Sequence, residues 1–232
     1  MNQLICFDSS ELLAFHQLDV AGLPLAEQLD AILGLAAKTL AGDGLGMNDV
    51  IFIIAELTDM RDRPIVNEAQ KRIWTRPECY PCRIILERGG FKAGARVRLL
   101  FTATKAPHRQ INSTKGQMPT GPFSRSAVVG GRVYGSGVRP IIPGTQTIVS
   151  EDLKECARQC LRNLATNMEE SGANLKKAYS FTTYLPDLAN VGLVMEVFGE
   201  YGISGSEAAL SFEKVDALNE YHPIEIAGNA NL

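Results

Sequence analysis

Apolar and polar positions along this chain fall into two alternating periods. Short apolar runs at 4–7 and 12–18, split by Asp8-Ser9-Ser10, predict two strands joined by a turn. After Pro24, residues Leu25, Leu29, Ile32, Leu33, Ala36 and Leu40 keep the 3.6-residue period, so a helix is expected there, ended by Gly42-Asp43-Gly44. The β-branched run 50–57 is too densely apolar for a strand with one wet face and is expected to be central. Asp59 or Asp62 can cap a second helix with Ile65, Val66, Ala69 and Ile73 inward; strands follow at 83–87 and 96–102. The polar stretch 104–119, with Pro107, Gly116 and Pro119, reads as a linker.

The order then repeats. Strands are expected at 123–129 and 132–136. A helix capped by Ser150 carries Leu153, Cys156, Ala157, Cys160, Leu161, Leu164 and Met168 on one stripe. Strand 179–185, a helix at 191–201 and strands at 210–215 and 223–227 complete the second half. Equivalent positions lie about 128 residues apart, which points to a duplicated unit. The expected fold class is therefore α+β, as two units (1–103 and 120–232) around the linker 104–119. Each is a sheet with two helices on one face, in the order ββαβαββ.

Composition narrows the function. A formal net charge of −3 gives no general attraction for phosphate backbones, so no nucleic-acid partner is expected. No apolar run reaches the roughly 20 residues of a membrane helix, and the start has no signal-peptide pattern. Five cysteines, an odd number, argue against a disulfide framework and for a reducing, cytoplasmic setting. Cys79-x-x-Cys82 together with Cys156 and Cys160 would make a four-thiolate zinc site, but the latter two sit on an apolar stripe, and buried small side chains are the better account. No metal or cofactor is expected. Arg61, Arg63, Lys71, Arg72 and Arg76, balanced by nearby acids, read as a solvated helix face.

One stretch carries chemistry. Thr120-Gly121-Pro122-Phe123-Ser124 leads through an extended segment to Ser136-Gly137, where a missing side chain lets a ligand approach the backbone. Here the sequence resembles the Rid family (also called YjgF or UK114) of enamine/imine deaminases, which open with G-P-(Tyr)-S. The resemblance implies chorismate-mutase-like units in rings of three, hence a homotrimer or similar homo-oligomer with clefts between neighbouring units. It also implies a carboxylate-gripping arginine after a proline, here Arg83 in Pro81-Cys82-Arg83. A glutamate that handles the attacking water is implied in an I-E-I context, here Glu225, and an asparagine in V-N-E, here Asn67. Phe123, standing where the family has tyrosine, with Ser136 and Gly137, would line the substrate pocket.

These residues are split between the halves. Ala209 stands at the arginine position of the second, Met195 at the asparagine position, and Arg98 at the glutamate position of the first. Rings of like units would keep Arg83 and Glu225 apart, and a joint site requires first half against second. The expected activity is hydrolysis of a small carboxylated imine with release of ammonia. The alternatives are a Rid-like unit turned to another small carboxylated substrate, as in chorismatases, and a non-catalytic metabolite-binding or scaffold protein. A ribonuclease or translation inhibitor ranks last, for want of a basic patch.

Overall fold

The computed structural model describes residues 4–91, 94–112, 115–117 and 119–232. In the first half, β1 (Leu4–Asp8) is followed by α1 (Ser9–Phe15), not by a second strand. The Asp8 carboxylate accepts from the Ser10 amide and caps the helix, so the triplet expected to turn a hairpin instead starts α1. Helix α2 (Leu25–Gly42), strand β2 (Val50–Leu57), helix α3 (Arg63–Ile73) and strands β3 (Cys82–Glu87) and β4 (Val97–Thr104) follow. Strand β5 (His108–Ile111) lies within the stretch read as a linker and forms the edge of the second sheet.

The second half holds β6 (Ser126–Val129), β7 (Arg132–Gly135), α4 (Leu153–Glu170), β8 (Ala178–Leu185), α5 (Val191–Glu200), β9 (Ala209–Lys214), the short β10 (Ala217–Leu218) and β11 (Glu225–Asn231). Asp152, not Ser150, caps α4 by accepting from the Glu155 amide. The halves keep step: α2 and α4 begin at 25 and 153, β2 and β8 at 50 and 178, α3 and α5 at 63 and 191, each pair 128 residues apart. Even the left-handed glycines that stop α2 and α4, Gly44 and Gly172, obey the interval.

Two mixed sheets result, ordered β1-β4-β2-β3-β10 and β5-β6-β7-β11-β8-β9. In each, one parallel pair (β2–β3, β8–β9) is joined through a helix, as a parallel connection requires. One core lies between the first sheet and its helices, with Leu29, Ile32, Ile53, Leu99 and Trp74 at its centre. A second lies under α4 and α5 around Cys160, Leu164, Phe181 and Phe198. On α3, Val66 and Ala69 are buried, whereas Ile65 and Ile73, expected inward, are about a third exposed. The four cysteines of the zinc alternative fall into separate places, Cys82 between the sheets and Cys156 and Cys160 in the second core. Among the described residues no cluster of His, Cys, Asp or Glu is arranged to hold a metal, and no helix is long and apolar enough to cross a membrane.

The two sheets pack on each other through the faces opposite their helices. Ile84 and Leu86 of the first meet Tyr184 and Ala227 of the second, with Leu218 packed beside them. Strand β10 crosses over to pair antiparallel with β3, Leu218 opposite Leu86. Arg88 pins the edge, donating to Glu56 in its own half (2.8 Å) and to Glu213 in the other (3.1 Å). First half therefore packs against second within a single chain.

Candidate functional site at the junction of the two halves

Arg83 is the second residue of β3, two places after Pro81, and its main chain is stitched into the second half. Its amide donates to Ser136 Oγ (2.9 Å), its carbonyl accepts from the Gly137 amide (3.2 Å), and Ser136 Oγ donates to the Ser124 carbonyl (2.6 Å). Ser136 is fully buried and its hydroxyl is committed to main chain, so it fixes the register of Arg83 instead of lining the pocket, a correction to the sequence reading. The guanidinium turns toward α3, where Nη1 donates to Asn67 Oδ1 (2.8 Å) and to Gln70 Oε1. Both partners are neutral amides. Burial pushes the Arg83 pKa down to about 9, helped by nearby Arg63 and Arg139, which still leaves it charged at neutral pH. Phe123 lies against it, ring centroid 4.9 Å from Cζ, and Arg125 approaches the same ring at 5.5 Å.

Glu225 begins β11, where the chain following Gly137 pairs with it: Val138 and Ile226 exchange both amide–carbonyl bonds (2.9 and 3.0 Å). Its carboxylate occupies the space a side chain at Gly137 would need. Burial raises its pKa to about 7, against the lowering pull of Arg139, Arg83 and Arg63. Arg83, Phe123, Gly137 and Glu225 line one cleft, with Asn67 behind Arg83. About 20 Å³ is enclosed at its base, the room of a single water molecule.

Two lining arginines escaped the sequence reading. Arg63, read there as part of a solvated face, points inward from the start of α3, and Arg139 follows the Ser-Gly pair. Both bind Thr120: Arg63 donates to its carbonyl, Arg139 to its hydroxyl (3.0 Å). Arg63 also donates to Asn219 Oδ1 (3.1 Å), and Arg139 to Glu220 (2.8 Å). Glu220 and Tyr221 both adopt left-handed backbone (φ 58° and 55°), a strained arrangement in L residues that persists only where surrounding contacts hold it.

The registers also test the equivalences between halves. Arg98 pairs with Glu56 as Glu225 pairs with Tyr184, so Arg98 does occupy the glutamate place of the first half. There it is ion-paired to Asp8 and Glu56. Arg83 faces Ile53 on β2, and the matching residue facing Phe181 on β8 is Leu210, one place beyond the Ala209 expected.

Fold and cleft together define a class: a small α+β protein whose candidate site lies where two sheet-and-helix units meet. The chain belongs to the family described as Endoribonuclease L-PSP, whose sequence profile matches residues 114–232. This is the family also called Rid or YjgF. A RutC family protein of Pyrococcus abyssi is 34% identical over 103 residues, 44% of this chain and 81% of its own. Reactive Intermediate Deaminase A of Arabidopsis thaliana chloroplasts is 30% identical over 58% of this chain and 71% of its own length. The 2-iminobutanoate/2-iminopropanoate deaminase of Mus musculus is 29% identical over 50% and 85%. Among solved structures, a Yersinia pestis protein of the Rid family superposes with a TM-score of 0.51 at 26% identity, covering 54% of this chain and all of its own.

Proposed function

We propose that the chain hydrolyses a small carboxylated imine to the corresponding oxo acid and ammonia. The observation that carries this reading is the presence of Arg83 and Glu225 in one cleft. Arg83 presents a planar fork whose partners among the described residues are neutral amides, suited to a carboxylate. Glu225, with a pKa near 7, is matched to moving protons at neutral pH. In the reaction Glu225 takes a proton from water as its oxygen adds to the C=N carbon. That proton passes to nitrogen, and collapse of the carbinolamine expels ammonia and leaves a C=O. Such an imine is larger than the enclosed space, so Phe123 or the turn before it has to yield on entry. The names of the mouse and Arabidopsis relatives support the reaction class. The common interval of the two halves supports descent from one duplicated unit, the first half having kept the arginine and the second the glutamate.

The test is ammonia release from freshly generated 2-iminopropanoate. Wild type is expected to accelerate it, with Arg83→Ala slower by about 10- to 100-fold and Glu225→Gln by on the order of 100-fold. Equal rates in wild type and both variants would end the assignment.

A further inference from the structure

Four arginines crowd the cleft and the Phe123 ring beside it, against two nearby acids, Glu220 and Glu225. Arg63, Arg83 and Arg139 all line it. Facing them are Glu225, whose burial holds it near half-protonation at neutral pH, and Glu220, which is half-exposed and paired to Arg139. The remaining neighbour, His222, is kept neutral by burial beside Arg139. Arg125, behind Phe123, is fully buried, and among the described residues none of its guanidinium nitrogens has a hydrogen-bond partner.

Binding a carboxylate to Arg83 leaves Arg63 and Arg139, which close on Thr120 from two sides. Among the described residues Arg63 donates to neutral oxygens, those of Thr120 and Asn219. Two guanidiniums held together on one residue form a two-pronged receptor for an anion. In this structure Arg139 draws its counter-charge from Glu220, delivered by the strained left-handed pair Glu220-Tyr221. A ligand anion at the same place would replace that exposed carboxylate and leave Glu220 free to relax. We infer that the cleft has a second anion subsite, formed by Arg63 and Arg139, and that the substrate is a small molecule with two carboxylates. This rests on the deaminase reading only for the identity of the reacting group; the subsite itself is a matter of charge and geometry.

The experiment compares calorimetric binding of 2-oxoglutarate and 2-oxobutanoate, which share an oxo-acid head and differ in the second carboxylate. Wild type is expected to bind the diacid at least about tenfold more tightly. Arg63→Gln and Arg139→Gln, made singly, should each lower diacid affinity about tenfold and leave the monoacid within about twofold. Arg63→Lys, which keeps the charge but not the fork, should retain part of the preference and guards against a fold defect in the glutamine variant. No preference in wild type, including no binding of either acid, or a preference unchanged in both glutamine variants, overturns the subsite. Ammonia release from 2-iminobutanoate separates the two proposals. Diacid preference without hydrolysis of any imine sinks the deaminase reading alone, and hydrolysis of the monoacid imine without diacid preference sinks the subsite alone.

Discussion

Gly137 and Glu225 share a single space: a Cβ built on Gly137 would fall 1.8 Å from Glu225 Oε1 and 2.7 Å from its Cδ. Real carbon–oxygen contacts are not that short, so the carboxylate stands where it does only because residue 137 has no side chain. Gly137→Ala is therefore expected to drive Glu225 from the cleft and lower ammonia release about 100-fold, near the effect of removing the carboxylate. Overpacking this half-buried position should also destabilise the fold by about 1–3 kcal/mol. Steady-state rates with a denaturant titration check both; an alanine variant with wild-type turnover contradicts the placement of Glu225.

Gly121 guards the other charge. A Cβ there would lie 2.6 Å from Arg83 Nη2 and 2.9 Å from Asn67 Oδ1. Gly121→Ala should tilt the guanidinium off its Asn67 partner and weaken carboxylate binding. The expected signature is a KM for 2-iminopropanoate raised about tenfold with kcat changed less than threefold, since Glu225 lies on a different strand. A variant with reduced kcat and unchanged KM speaks against Arg83 as the carboxylate grip.

The elements that bury a periodic apolar stripe were legible in the sequence, and those without one were not. Strand β2 and helices α2 and α4 stand out because Ile53, Leu29 or Leu161 must face a core, and only one period allows it. Strand β5 has no such stripe; His108, Arg109 and Gln110 are ordered by pairing along the edge of a sheet that begins elsewhere. Helix α1 was misread because its capping Asp8 and following serines carry the same composition as a hairpin turn. At the site, Arg83 and Glu225 were found by local motif. Arg63 and Arg139 were not, because their meaning depends on which half of the chain packs on which. A solvated arginine and one turned into a cleft have the same sequence neighbours, and here only the contact across the junction distinguishes Arg63 from Arg61.

The thiols divide by burial. Cys6 is exposed and Cys79 half-buried, whereas Cys82, Cys156 and Cys160 are buried. Burial pushes Cys82 to about 12 and Cys156 to about 11, so neither supplies thiolate at neutral pH. A thiol reagent at pH 7.5 should label Cys6 and Cys79 within minutes and the other three only after denaturation, as read by peptide mass spectrometry. Rapid native labelling of Cys82 would contradict its burial between the two sheets.

Glu225 gives the chain a pH signature with two readouts of opposite sense. Burial lifts its carboxyl from 4.5 to about 7 in the folded protein. A base has to be ionised, so ammonia release should climb as pH rises through about 7 and then level off. Stability runs the other way. The folded carboxyl keeps its proton up to about 7 while the unfolded one gives it up near 4.5, so the contribution is complete below about 4.5 and is lost as pH rises through about 7. Glu225→Gln is uncharged throughout and escapes this loss. Its stability relative to wild type should grow by on the order of 1–3 kcal/mol between about pH 4.5 and pH 8, even as its activity falls. His222, held down to about 4 by burial, titrates in both proteins and cancels in the difference. Urea titrations at the two pH values measure the shift. A difference that shrinks with pH places Glu225 in a solvated, ionised setting, and the water-handling role assigned to it would then have no base of the right strength behind it.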